Sequence, residues 1–62
     1  MSPKSRMLNY LIDQTVAVIE GLEAVIAVVR DDQESVDKVR DLQRKLSGNL
    51  REYIRSLAAD ED

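Results

Sequence analysis

Polar and apolar residues along this chain follow the period of a helix, in two blocks separated by a short charged break. In the first block the stripe is Leu8, Leu11, Thr15, Val18, Leu22, Val25 and Val29, with Thr15 the one polar exception. Its spacing alternates between three and four residues, and Ile12, Ile19 and Ile26 flank it at strict seven-residue intervals. Side chains three and four apart share one face of a helix, so the block predicts an amphipathic helix with a wide apolar stripe. The many β-branched residues lower helix propensity slightly, but a seven-residue repeat does not fit the two-residue period of a strand. Ser2 is a good N-cap and Pro3 a good first helical residue. The helix is expected over about residues 3–30.

Arg30-Asp31-Asp32-Gln33-Glu34 then interrupts the pattern. Asp31 followed three residues on by Glu34 resembles a capping box, and Asp32 is an equally good cap one residue later. Acidic residues also suit the positive end of a helix dipole. The break holds neither Gly nor Pro, so a short, tight turn is expected at about residues 31–32. The alternative is one continuous helix that bends there. A second helix is expected over about residues 33–58, with the stripe Val36, Val39, Leu46, Leu50, Tyr53 and Leu57. Leu42 and Ile54 run alongside, and Gln43 is the polar intruder. Residues 59–62 read as a solvated acidic tail.

Each helix would be roughly 40 Å long at about 1.5 Å per residue. A short turn makes them antiparallel neighbours. Two helices cannot enclose a core, because each stripe is covered on one side only. The expected fold is therefore all-α: one domain over residues 1–62, a helix-turn-helix hairpin, with two copies forming a four-helix bundle. Closed two-fold symmetry is the expected arrangement of the homodimer. In a hetero-oligomer, the other reading, another protein's helices would cover the exposed stripe.

Composition sharpens this picture. Val, Ile and Leu number eighteen of 62 residues, well above the content of a disordered chain. A core this small rarely supplies more than about 3–5 kcal/mol, and oligomerisation is a common remedy. With no Cys and no His, the chain has no disulfide, Cys/His zinc site, thiol nucleophile, Ser-His-Asp triad or haem histidine. Neither metal nor cofactor is expected. The first residues carry no apolar run like that of a signal peptide. Glu20 and Glu23 interrupt the most apolar stretch, which falls short of the ~20 residues a membrane span needs. A cytoplasmic protein that does not enter membranes is expected. The net charge of −3 opposes broad electrostatic binding to nucleic acid.

Four features are candidates for function. Ala17, Gly21, Ala24 and Val28 form a small-residue stripe on helix 1, beside the main apolar one. Gly21 costs about 1 kcal/mol inside a helix, and a close contact between two copies of helix 1 is a reason to accept it. Arg40, Arg44, Arg51 and Arg55 share one side of helix 2, with Gly48 between them, and suit phosphates or a partner's carboxylates. Asp37, Asp41 and Glu52 lie within reach of Arg40, Arg44, Lys45 and Arg55, so a solvated, salt-bridged face is the plainer reading. Asp13, Glu20 and Glu23 form an acidic line on helix 1, of which Asp13 and Glu20 point away from the stripe, towards solvent. A general acid or base needs a site that excludes water, so no enzymatic role is expected. Thr15 and Gln43 lie within the stripes, where polar groups often fix register. They read either as polar layers, Thr15 level with Asn49 and Gly21 with Gln43, or as the seam's wet edge.

The segment Met7-Leu8-Asn9-Tyr10-Leu11-Ile12-Asp13-Gln14-Thr15-Val16-Ala17-Val18-Ile19-Glu20-Gly21-Leu22 resembles the first helix of the Rop family, the plasmid-encoded repressor-of-primer proteins. Glu52-Tyr53-Ile54-Arg55-Ser56-Leu57-Ala58 is similar to the end of that family's second helix, with a small shift. The resemblance implies a helical hairpin that dimerises into a four-helix bundle and binds paired RNA loops through its first helices. By it, Tyr10 takes the place of the RNA-contacting aromatic, Gln14 of the glutamine and Arg6 of the asparagine. The family's mid-helix lysine falls on Gly21, which cannot contact phosphate through a side chain. Both helices here are about one turn longer than the family's.

Three functional classes follow. The first is a small, non-enzymatic, homodimeric module or regulatory adaptor that binds another protein. Its core and dimer interface would use Leu8, Leu11, Ile12, Thr15, Val18, Ile19, Gly21, Leu22, Val25, Ile26 and Val29 of helix 1. From helix 2 it would use Val39, Gln43, Leu46, Leu50, Tyr53 and Leu57, with Arg40, Arg44, Arg51 and Arg55 meeting the partner. The second is a dimeric RNA-binding regulator using Arg6, Tyr10 and Gln14, aided by Lys4. The third is a self-assembling structural element that pairs the acidic side of helix 1 with the arginines of another copy.

Overall fold

The computed structural model describes residues 2–60. Two helices pack against each other antiparallel: α1 (Pro3–Val28) and α2 (Gln33–Asp60). The hairpin measures 47 × 15 × 10 Å, and no strand occurs among the described residues.

Local chemistry sets each helix end. Ser2, in extended conformation before Pro3, accepts a hydrogen bond from the Ser5 amide at 3.0 Å and caps α1. α1 stops at Val28, two residues short of the expected end. The Asp32 amide donates to the Val29 carbonyl at 2.8 Å, closing a turn over residues 29–32. No residue there has a positive φ, so the turn needs no glycine. Of the two candidate caps, Asp32 is used: its carboxylate accepts from the Ser35 hydroxyl at 2.8 Å and the Ser35 amide at 3.4 Å. The Asp31–Glu34 box does not form. α2 runs on to Asp60, so Ala59 and Asp60 belong to the helix and not to a tail; Glu61 and Asp62 lie outside the described residues.

The seam between the helices follows two sets of alternating three- and four-residue steps. From α1 it takes Ser5, Leu8, Ile12, Thr15, Ile19, Leu22 and Ile26, and from the turn Val29. From α2 it takes Val36, Val39, Gln43, Leu46, Leu50, Tyr53, Leu57 and Asp60. The α2 stripe read from the sequence is the seam. The α1 stripe is displaced by one row: Ile12, Ile19 and Ile26 face α2, whereas Val18 and Val25 stand outside at 48% and 43% exposure. The reason is that α1 is apolar on two adjacent sides and α2 can cover only one. Leu8 is the one buried apolar side chain among the described residues, and no large side chain is fully enclosed.

Candidate interaction surfaces

The seam carries two polar contacts that fix its register. Gln43 is buried at 8% exposure. Its Nε2 donates to the Ile19 carbonyl at 3.0 Å and to Glu23 Oε1 at 3.1 Å, and its Oε1 accepts from Arg40 Nη1 at 3.3 Å. Arg40 also pairs with Glu23 across the seam at 2.9 Å. Gln43 is thus a seam residue with its polar atoms met, reaching Ile19 and not Gly21. Thr15 forms no layer with Asn49; its hydroxyl donates back to the Leu11 carbonyl of its own helix at 2.6 Å.

The second contact closes the open end of the hairpin. Asp60 Oδ2 accepts from the Ser2 hydroxyl at 2.8 Å and from the Ser5 hydroxyl, which is buried at 4% exposure. The Ser5 bond, then the Ser2 bond and the charge of Lys4 hold the Asp60 carboxyl below the ordinary aspartate range. The Ser35 contacts lower Asp32 likewise. The sequence reading missed Ser5 and Asp60, although both continue the seam's spacing by one step, Ser5 from Leu8 and Asp60 from Leu57.

These contacts divide the hairpin into two faces. Glu23 and Arg40 flank the seam on a polar face, in rows with Val16 and Ser47. On the opposite face α1 presents Leu11, Val18 and Val25, backed by Met7, Gln14, Gly21 and Val28; α2 adds Leu42 among Ser35, Asn49 and Ser56. Val28 is 84% exposed. A Cβ added at Gly21 would meet nothing within 4 Å, so α2 does not require that glycine.

The arginines of α2 are largely engaged in exposed pairs. Arg44 meets Asp41 at 3.5 Å and Arg55 meets Glu52 at 3.1 Å, while Lys45 also reaches Asp41 at 3.3 Å. Asp37 does not pair with Arg40; it accepts from Gln33 at 2.8 Å. Among the described residues Arg51, Asp13 and Glu20 form no ion pair. Arg6, Tyr10 and Gln14 lie exposed on the outer side of α1, with Tyr10 58% exposed.

Among the described residues the hairpin has no pocket and no acidic cluster placed to hold a metal ion. Neither helix is long and apolar enough to cross a membrane. No protein-family model matches the chain, and no curated protein or solved structure matches it.

Proposed function

We propose that this hairpin is a non-enzymatic protein-interaction module that works as a homodimer, two copies joined through the apolar face of α1. The carrying observation is the second apolar row of α1, in which α2 leaves Val18 and Val25 exposed and Leu11 half-buried. The accessible surface supports it. The chain exposes 4680 Å², whereas a compact globule of 7.0 kDa exposes roughly 4000 Å². The excess is close to the roughly 800 Å² that each partner brings to a standard interface.

The rows also favour one geometry. Next to this face α2 carries Lys38, Lys45 and Glu52. Packing α1 on α2 of another copy would set apolar side chains against these charges, whereas α1 on α1 sets apolar against apolar. A two-fold axis near Val18 places Val18 against its own copy and Leu11 of each chain against Val25 of the other. Gly21 then lies where two helices approach closely. The outer faces remain for a further protein partner, with the arginines of α2 as its charged contacts.

Light scattering tests the dimer. At about 1 M salt, where charge pairing between hairpins is screened, the chain is expected at twice its monomer mass over a wide concentration range, and Val18→Asp with Val25→Asp at half that mass. A wild-type monomer that keeps full helicity at high concentration, or an unchanged mass in the double variant, overturns the reading.

The exposed ring of Tyr10 favours a second reading, RNA binding. Tyr10 can stack on an unpaired base while Arg6 and Gln14 reach phosphate and base edges. Such binding weakens steeply with salt and is lost in Tyr10→Ala with Gln14→Ala. Retained binding in that folded variant rejects the site.

A further inference from the structure

We infer that hairpins also associate edge to edge in an open row, the outer side of α1 in one copy lying along the outer side of α2 in the next. The occupant of each edge is a second copy of this chain. The register fixed by Ser5–Asp60 and Glu23–Arg40 sets the heights along the two helices. Between those contacts Asp13 stands level with Arg51, Ala17 with Gly48 and Glu20 with Arg44. Tyr10 is level with Arg55.

Three features of these edges fit one another. First, Asp13 and Glu20 are seven residues apart, as are Arg44 and Arg51, and both pairs sit towards the polar face. A sideways translation of one hairpin, with no slide along its axis and the same face up, brings each acid to an arginine. Sliding by one repeat leaves one acid and one arginine unmatched. Second, Asp13, Glu20 and Arg51 form no ion pair within the hairpin among the described residues, and the Arg44–Asp41 contact is long at 3.5 Å. Third, a Cβ at Gly48 would meet nothing within 4 Å, so the fold does not require this glycine. Opposite Ala17 it lets two helices come close enough for the flanking charges to pair. Tyr10 then offers its ring face to the Arg55 guanidinium, a favourable cation–π arrangement.

Because translation is not a closed operation, the contact repeats without limit. It uses different rows from the proposed dimer face, so either association can occur without the other.

Sedimentation of the purified full chain decides it. At about 0.01 M salt, where screening acts over roughly 30 Å, the mass is expected to rise with concentration past the dimer. At about 1 M, where screening acts over roughly 3 Å, the growth is expected to disappear. Asp13→Lys with Glu20→Lys, and separately Arg44→Glu with Arg51→Glu, each set like charges across the contact and are expected to stop growth. Mixing the two variants restores an acid opposite every base, and growth is expected to return. Gly48→Leu, at an exposed position with open space around it, is expected to block growth without altering charge. Val18→Asp with Val25→Asp is expected to keep salt-sensitive growth even where the dimer is lost. Absence of growth at low salt, growth in either charge-reversed variant alone, or failure of the mixture to grow overturns the inference.

Discussion

Gln43 occupies a seam position whose spacing suits an aliphatic side chain, and it is tolerated because both of its polar atoms are paired. Its neighbours Glu23 and Arg40 are half-exposed and bind each other directly, so they remain partnered if the amide is removed. Gln43→Ala is expected to cost about 1–2 kcal/mol through lost hydrogen bonds and packing. Gln43→Leu is expected to be neutral or stabilising while losing a device that specifies register. Urea unfolding followed by circular dichroism separates the two; a Leu variant weaker than the Ala variant would mean the network itself carries stability. Asp32 and Asp60 act as anions. Both carboxyls are held below their ordinary values in the folded chain by serine hydrogen bonds. Their contribution is therefore full above the ordinary aspartate range near about 3.9 and is lost as pH falls through the lowered values. The melting temperature is expected to drop on acidification below about pH 4, and less so in Asp32→Asn with Asp60→Asn. An identical acid profile in that variant would place the sensitivity elsewhere.

Within each helix, one stripe was readable and the other was ambiguous. α2 has a single apolar side, so its spacing alone identified the seam from Val36 to Leu57. α1 is apolar on two adjacent sides, and no periodicity says which one its own partner covers. That choice depends on the direction in which the turn delivers α2, a property of residues 29–32 and not of the stripe. The same limit moved the end of α1 inward: Val29 and Arg30 fit a helix, but the Asp32 cap and its hydrogen bond to Val29 draw them into the turn. The charged surface was legible as pairs, except that Arg40 crosses to Glu23 where its own helix offered Asp37. Gly21 and Gly48 make a testable contrast. Neither is required by the hairpin, so in a variant held monomeric Gly21→Ala and Gly48→Ala should each stabilise by up to about 1 kcal/mol. Thermal unfolding of such variants checks this, and a loss of stability would reveal a role within the single chain.

At the scale of the molecule, the scarcity of enclosed side chains links stability to association. If a second copy covers the α1 row, the unfolding midpoint rises with protein concentration; a midpoint independent of concentration would mean that the lone hairpin suffices. The turn has a further consequence. Leu8, Thr15, Leu22, Val29, Val36, Gln43, Leu50 and Leu57 follow one another at seven-residue intervals, unbroken through the turn. The turn is held by one backbone hydrogen bond and the Asp32 cap, and it has no left-handed residue that would resist becoming helix. Straightening it would yield one rod of roughly 87 Å at about 1.5 Å per residue with its stripe still continuous. Such a rod could meet the arm of another rod through the contacts it now makes with its own. In such an exchange the turn would act as the hinge, with Asp32 the catch that holds it shut. Asp32→Ala with Asp31→Ala is expected to enrich the exchanged, elongated dimer, recognisable by small-angle scattering as a particle far longer than 47 Å; an unchanged length would show that the bend is secured by the seam alone.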